Sequence, residues 1–106
     1  MDSIFEQLKR LVSKGRVQIS VHGYDELAAD NLSVRNVLSG VEKSELLEEY
    51  PLFAKWPCVL VLQRDQEDRP FHVVWGIAKG TTTPAVLVTA YRPDPEKWTE
   101  DYRSRK

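Results

Sequence analysis

The sequence predicts a single α+β domain over residues 1–106, with N-terminal helices packed on a four-stranded antiparallel meander sheet and a short C-terminal helix. Two observations give the class. Apolar residues recur at helical spacing in residues 3–41, whereas residues 70–77 and 85–92 are rich in β-branched and aromatic residues with a turn between them. A third gives the size, because a chain of 106 residues with 42% hydrophobic residues can bury one modest core.

The first helix is predicted over residues 3–14. Ser3 and Glu6 fit a capping box, in which each side chain satisfies a free backbone N–H of the first turn, and Gly15 is a typical residue after a helix end. Residues 17–21 then alternate apolar and polar side chains. That pattern is consistent with a short edge strand or with an extended connector.

Two more helices are predicted before the sheet. The second covers residues 22–30 and is expected to place Tyr24, Leu27 and Ala28 on one face, although Gly23 weakens its start. Ser33 can cap the third helix, and Gly40 is expected to end it.

Four strands are predicted, at residues 45–50, 58–62, 70–77 and 85–92. The first has helical propensity, but Pro51 and the strands that follow favour a strand. Residues 51–57 are predicted to form a loop in which Phe53 and Trp56 fold back on the core. Residues 65–69 and 79–84 are predicted as turns.

Pro93 is expected to end the last strand, because proline cannot continue an interior ladder. Asp94 can then cap a short C-terminal helix that carries Trp98. If the aromatic face of residues 70–77 is the one that the helices cover, His72 projects from the opposite face.

Composition limits the classes of function. The net charge of −1 and the pI near 6.1 give no overall basic field, so RNA as a partner is not supported by net charge. The single cysteine, Cys58, excludes an intrachain disulfide, suits a reducing compartment and is expected to be a buried, inert thiol. With neither a secretory signal nor a long apolar segment in the sequence, we expect a cytoplasmic protein that does not bind membranes.

Five side chains are candidates for a metal-independent RNA-cleaving site. Such a site needs a base, an acid and cations that stabilise the phosphorane. His22 and His72 are the acid–base candidates, Arg92 is the phosphate-facing cation, and Tyr91 and Glu49 supply further polar groups. The alternative is that each histidine is a packed structural residue and that Arg92 pairs with a carboxylate.

No metal site and no cofactor is expected. The two histidines are fifty residues apart, and the sequence has neither an HxH motif nor a cysteine pair. The short spacing that is typical of metal ligands is therefore missing. The glycines form no phosphate-binding pattern.

Several short motifs together resemble a bacterial and archaeal family named domain of unknown function 4258. They extend from about residue 20 to residue 98 and comprise residues 20–22, 33, 48–51, 59–62, 70–74 and 89–95 with Trp98. The family layout is similar to the RelE/ParE and BrnT type of toxin fold, which implies helices followed by an antiparallel sheet. Many relatives carry an arginine where this chain has Glu26, four residues after His22; if that arginine serves phosphate binding, this chain lacks it.

Three hypotheses follow. The first is a toxin-like endoribonuclease, which requires His22, His72 and Arg92 to converge on one pocket. The second is a non-catalytic interaction domain that binds another protein or a second copy of itself, through an edge strand or the acidic segment. The third is a small-molecule or peptide binder with a cleft near His72 and Tyr91.

Overall fold

A computed structural model describes residues 3–50, 57–77 and 82–106. In chain order the elements are α1 (Ile4–Ser13), β1 (Val17–Ile19), α2 (Val21–Ala29), α3 (Val34–Ser39), a 3₁₀ turn (Val41–Lys43), β2 (Glu45–Tyr50), β3 (Cys58–Arg64), β4 (Pro70–Gly76) and β5 (Ala85–Tyr91). Residues 51–56 of the predicted loop, including Phe53 and Trp56, and residues 79–81 of the predicted turn lie outside the described residues. No helix in the described ranges is long and apolar enough to cross a membrane.

The sheet has five strands in the order β1-β5-β4-β3-β2, and it is mixed. Strand β1 pairs in parallel with β5, with Val17 opposite Ala85 and Ile19 opposite Leu87, whereas the other neighbours are antiparallel. The predicted four-stranded antiparallel meander is therefore wrong. Because β1 has three residues and its partner lies near the other end of the chain, no local pattern reveals the pairing.

Serine caps start all three α-helices of the described chain. The hydroxyl oxygens of Ser3, Ser20 and Ser33 accept hydrogen bonds from backbone N–H groups three residues further on, at 3.1, 2.8 and 3.0 Å. The first helix is confirmed, with the predicted terminal residues Ser3 and Lys14 as its caps, and Ser33 and Gly40 cap the third helix. The second begins one residue earlier than predicted, because Ser20 supplies its cap.

The helices cover the sheet face that carries Phe71, Val73 and Trp75, so the condition for His72 to project from the opposite face is met. Helix α2 lies unusually close to β5: a Cβ at Gly23 would lie 2.8 Å from Leu87 Cδ2 and 2.9 Å from Leu87 O. Since the Gly23 side of α2 faces the sheet, Leu27 is buried with it. Tyr24 and Ala28 are exposed instead, so the expectation of a shared apolar face is wrong.

The second sheet face is covered in part by the segment after β5. The predicted C-terminal helix is wrong, because residues 95–97 form one turn and Trp98 then pairs with Arg105 in an isolated bridge. Tyr102 has a left-handed backbone (φ 59°), and the chain reverses its direction between the two bridge residues. The buried Trp98 holds this C-terminal segment, residues 94–106, on the sheet.

A bulge between β4 and β5 changes which side chains of β5 face the helices. Val74 pairs with Thr89 but Trp75 pairs with Leu87, so Val88 is an extra residue. Leu87 and Ala90 consequently join the same core, although strict alternation would place them on opposite faces.

Candidate functional site

His72 lies on the sheet face that the C-terminal segment covers, and it is 0% exposed. Its Nε2 is 2.9 Å from the carbonyl oxygen of Tyr102, and its Nδ1 is 3.3 Å from the hydroxyl oxygen of Tyr91. Because a carbonyl only accepts, Nε2 carries the proton and Nδ1 accepts from the Tyr91 hydroxyl. The Trp98 ring meets the imidazole edge-on, with 4.3 Å between ring centroids.

The surroundings favour the neutral form of this imidazole. Burial lowers the pKa of His72, and the Arg105 guanidinium lowers it further. The Tyr102 carbonyl and the Glu48 carboxylate act in the opposite direction without reversing the shift. With both ring nitrogens hydrogen-bonded and no solvent contact, His72 has the geometry of a packed structural residue.

The carboxylate whose charge reaches His72 is Glu48 rather than the candidate Glu49. Arg105 Nη2 donates to Glu48 Oε1 at 2.9 Å, and the Tyr50 hydroxyl donates to the same carboxylate. The bond from Arg105 and then that from Tyr50 lower the pKa of Glu48. Glu49 is the next residue of β2, so its side chain points to the other side, where it is exposed.

Arg92 joins three parts of the molecule at one end of the sheet. Its Nη2 donates to Asp65 Oδ2 at 2.7 Å, and its Nη1 donates to the Pro70 carbonyl at 3.1 Å. Its backbone N–H donates to Asp30 Oδ2 at 2.9 Å. The guanidinium thus links the β3–β4 turn to the end of β5, and the polar cavity beside it has a volume of only about 140 Å³.

His22 is separate from both of these clusters. It lies in the first turn of α2, its side chain is 66% exposed, and its Nε2 is 3.7 Å from Glu26 Oε1. Helix α2 packs on the sheet face opposite to the one that carries His72. His22, His72 and Arg92 therefore do not converge on one pocket, whereas His72 and Tyr91 do contact each other.

In the described ranges, no group of three or more histidine, cysteine, aspartate or glutamate side chains is arranged to hold a metal ion. Burial raises the pKa of the Cys58 thiol, which keeps it protonated and unreactive.

A surface groove runs beside β1 and has a volume of about 500 Å³. Val21 and Tyr24 of α2 are 79% and 55% exposed, the largest exposures among the big apolar side chains that the structure describes. Tyr24 lines the groove, and Val21 lies one helical turn before it. The lining residues are Gly15, Val17, Gln18, Ile19, Tyr24 and Leu38.

The outer edge of β1 offers backbone hydrogen-bonding groups to this groove. Arg16 O accepts from Ala85 N at 3.0 Å, and Ser20 N donates to Leu87 O at 3.1 Å, so residues 16, 18 and 20 face β5. By the alternation of a strand, the N–H and C=O groups of Val17 and Ile19 point away from the sheet. No strand of the described chain pairs with β1 on that side.

Sequence patterns did not predict this surface, because Tyr24 lies at helical spacing from Leu27 and Ala28 and was therefore expected to share a buried face with them. The signal that identifies it is Gly23, whose missing side chain permits close helix–sheet contact. If Gly23 faces the sheet, Tyr24, one residue further along the helix, is rotated by 100° away from it.

The fold and these contacts define a small α+β domain with a buried structural histidine and an unpaired, apolar-flanked edge strand. Residues 19–92 match the family described as Domain of unknown function (DUF4258), and the chain belongs to that family. No curated protein and no solved structure matches the chain.

Proposed function

We propose that this domain is a non-catalytic interaction module that binds an extended segment of another protein along the edge of β1. The observation that carries the proposal is the pair of outward-facing backbone groups at Val17 and Ile19, beside a groove lined by Tyr24 and Leu38. An edge strand next to a helix-lined groove can accept an added strand, with main-chain hydrogen bonds for affinity and side-chain contacts for specificity.

The engagement of the other candidate residues supports this proposal over an enzymatic one. His72 and Tyr91 bond to each other beneath the C-terminal segment, and Arg92 is paired with Asp65. None of these three presents a free functional group to a substrate in this conformation. The exposed side chains of Val21 and Tyr24, in contrast, can be buried directly in a contact with another protein.

In vivo photo-crosslinking tests the proposal. A benzophenone amino acid replaces Tyr24, and the crosslinked polypeptide is identified by mass spectrometry and then purified. In the complex of the two purified proteins, amide hydrogen exchange at Val17 and Ile19 is expected to slow by at least tenfold, because both N–H groups become hydrogen-bonded.

The matched control places the same probe at Tyr50, a partly exposed tyrosine of β2 at the other edge of the sheet. Equal crosslinking from both positions would indicate non-specific contact. Unchanged exchange at Val17 and Ile19 in the complex would overturn the proposal.

The metal-independent endoribonuclease of the RelE/ParE or BrnT type stays a second candidate, because His22 and Glu26 form an exposed imidazole–carboxylate pair. Induced expression should then arrest growth and degrade RNA, and His22→Ala should prevent both. Wild-type protein that leaves growth and RNA intact would remove this candidate. An active His22→Ala variant would remove His22 from the mechanism.

A further inference from the structure

We infer that the segment bound at the β1 edge is an acidic strand of a separate polypeptide. This inference rests on the proposed function and specifies its partner. Lys14 and Arg16 flank Gly15, which lines the groove. Both are exposed, and Lys14 also lines a separate cavity beside α1. Neither forms an ion pair with any carboxylate of the described chain, so their charges are available to a partner.

A third cation is a helical neighbour of a residue that lines the groove. Arg35 is exposed and precedes Leu38 of α3 by three residues, so the two side chains are neighbours on the helix. It too lacks an ion pair within the described ranges. The exposed Asp25 beside Tyr24 opposes these cations. The exposed charges closest along the chain to the lining residues are therefore three positive and one negative, although the whole chain is slightly acidic.

A second copy of this chain is a poor occupant of the groove. Two-fold pairing of β1 with β1 is antiparallel and, if centred on Gln18, would set Arg16 opposite Ser20 and Lys14 opposite His22 of the other copy, so neither cation would meet a carboxylate. Strand β2 of another copy is acidic, but Glu45 and Glu48 are already ion-paired with Arg103 and Arg105, at 2.6 and 2.9 Å. Much of its charge is thus neutralised before any contact forms.

The groove also dictates the side-chain pattern of its occupant. An added strand places alternate side chains on opposite faces. One set would contact the apolar surfaces of Tyr24 and Leu38, and the other set would lie on the opposite face, the side of the sheet to which Arg16 belongs by alternation with the core-facing Val17. The expected occupant is therefore an extended segment in which apolar residues alternate with glutamate or aspartate.

Two fluorophore-labelled peptides of nine residues test this, one alternating valine with glutamate and the other valine with lysine. Anisotropy titrations with the full chain should show about fivefold tighter binding of the glutamate peptide in low salt, which is the scale of two or three exposed ion pairs. The preference should shrink as salt is added. The double variant Lys14→Glu/Arg16→Glu should reverse it, whereas Lys43→Glu/Lys97→Glu, with the same change in net charge, should retain it.

The outcomes separate this inference from the proposed function. Equal binding of both peptides would overturn the acidic preference and leave the groove as a strand-binding site. Absence of binding by either peptide up to about 1 mM would overturn the inference. The Tyr24 crosslinking would then test separately whether the groove binds another protein. A crosslink from Tyr24 to residues 45–50 of a second copy would overturn the inference of a separate partner, because it would show that the groove binds this chain itself.

Discussion

Two polar side chains that suggest chemistry in the sequence, His72 and Arg92, are engaged in the structure by packing and hydrogen bonding. His72 joins β4 to the C-terminal segment through Tyr102, and Arg92 joins β5 to Asp65. Residue type alone cannot separate these roles from catalysis. The deciding quantities are exposure and the number of free donors, and both depend on residues far along the chain.

The buried imidazole of His72 should make stability depend on pH. Its pKa is lowered in the folded state by burial, so the unfolded chain takes up a proton first as pH falls. The free energy of unfolding should therefore be highest above about pH 6.5 and should decline from pH 7 to pH 5, by at most about 1.4 kcal/mol per pH unit. Urea unfolding curves measured at each pH give this slope.

His72→Phe keeps an aromatic ring but has no group that titrates, so it should flatten the slope between pH 7 and pH 5. It should also cost about 1–3 kcal/mol at pH 7, because the Tyr102 carbonyl loses its donor. His22→Ala is the matched control and should retain the wild-type slope. A slope that survives in His72→Phe would show that another group causes it.

At the scale of elements, β1 and α2 determine the character of the candidate surface. β1 has three residues and exposes the backbone of two of them, while α2 is held against β5 by the glycine at its buried side. A short edge strand is a common protection against unwanted pairing with strands of other chains. The exposed apolar groove beside β1 is therefore unexpected at such an edge.

Hydrogen exchange in the isolated protein checks the geometry of β1. The amides of Gln18 and Ser20 face β5 and should exchange slowly, whereas those of Val17 and Ile19 should exchange at least tenfold faster because they face outward. Residue-resolved exchange by NMR at low concentration measures this. Protection of all four amides in a monomer would contradict the assigned edge.

Gly23→Ala tests the close contact between α2 and β5. Helix propensity alone predicts a gain of about 0.5–1 kcal/mol in the free energy of unfolding. The new Cβ would lie within 3 Å of Leu87 atoms, including its carbonyl oxygen, so a net loss of about 1–3 kcal/mol is expected. Because the two effects have opposite signs, thermal or urea unfolding separates them, and a stabilised variant would contradict the contact.

At the scale of the whole molecule, the sequence gives the α+β class and most of the elements but not the arrangement of the site. Ser3 and Ser33 indicate helix starts because their side chains cap the backbone locally. Strand β2 was predicted with the bounds that are observed. The pairing of β1 with β5 and the path of residues 94–106 depend on contacts between distant segments. Those same contacts decide which side of the sheet each histidine occupies, so the predicted site could not be assembled from local patterns.

Trp98 links the C-terminal segment to the rest of the molecule. The ring is buried against His72 and under the Arg105 guanidinium, which lies 4.7 Å from its centroid. Trp98→Ala should cost about 3–5 kcal/mol of stability and increase the binding of an apolar dye to the uncovered sheet. Glu96→Ala, an exposed change in the same turn, should stay within about 0.5 kcal/mol. Equal stability of the two variants would show that the segment does not support the fold.

The parallel pairing of β1 has a consequence for the order in which the protein matures. Strand β1 is synthesised before its neighbour β5, because Val17 pairs with Ala85 across α2, α3 and three intervening strands, and closing so long a loop is slow. The β1 edge beside the groove is therefore held in place only once β5 has docked. A partner that binds there would distinguish copies in which β5 has docked on β1 from copies in which it has not.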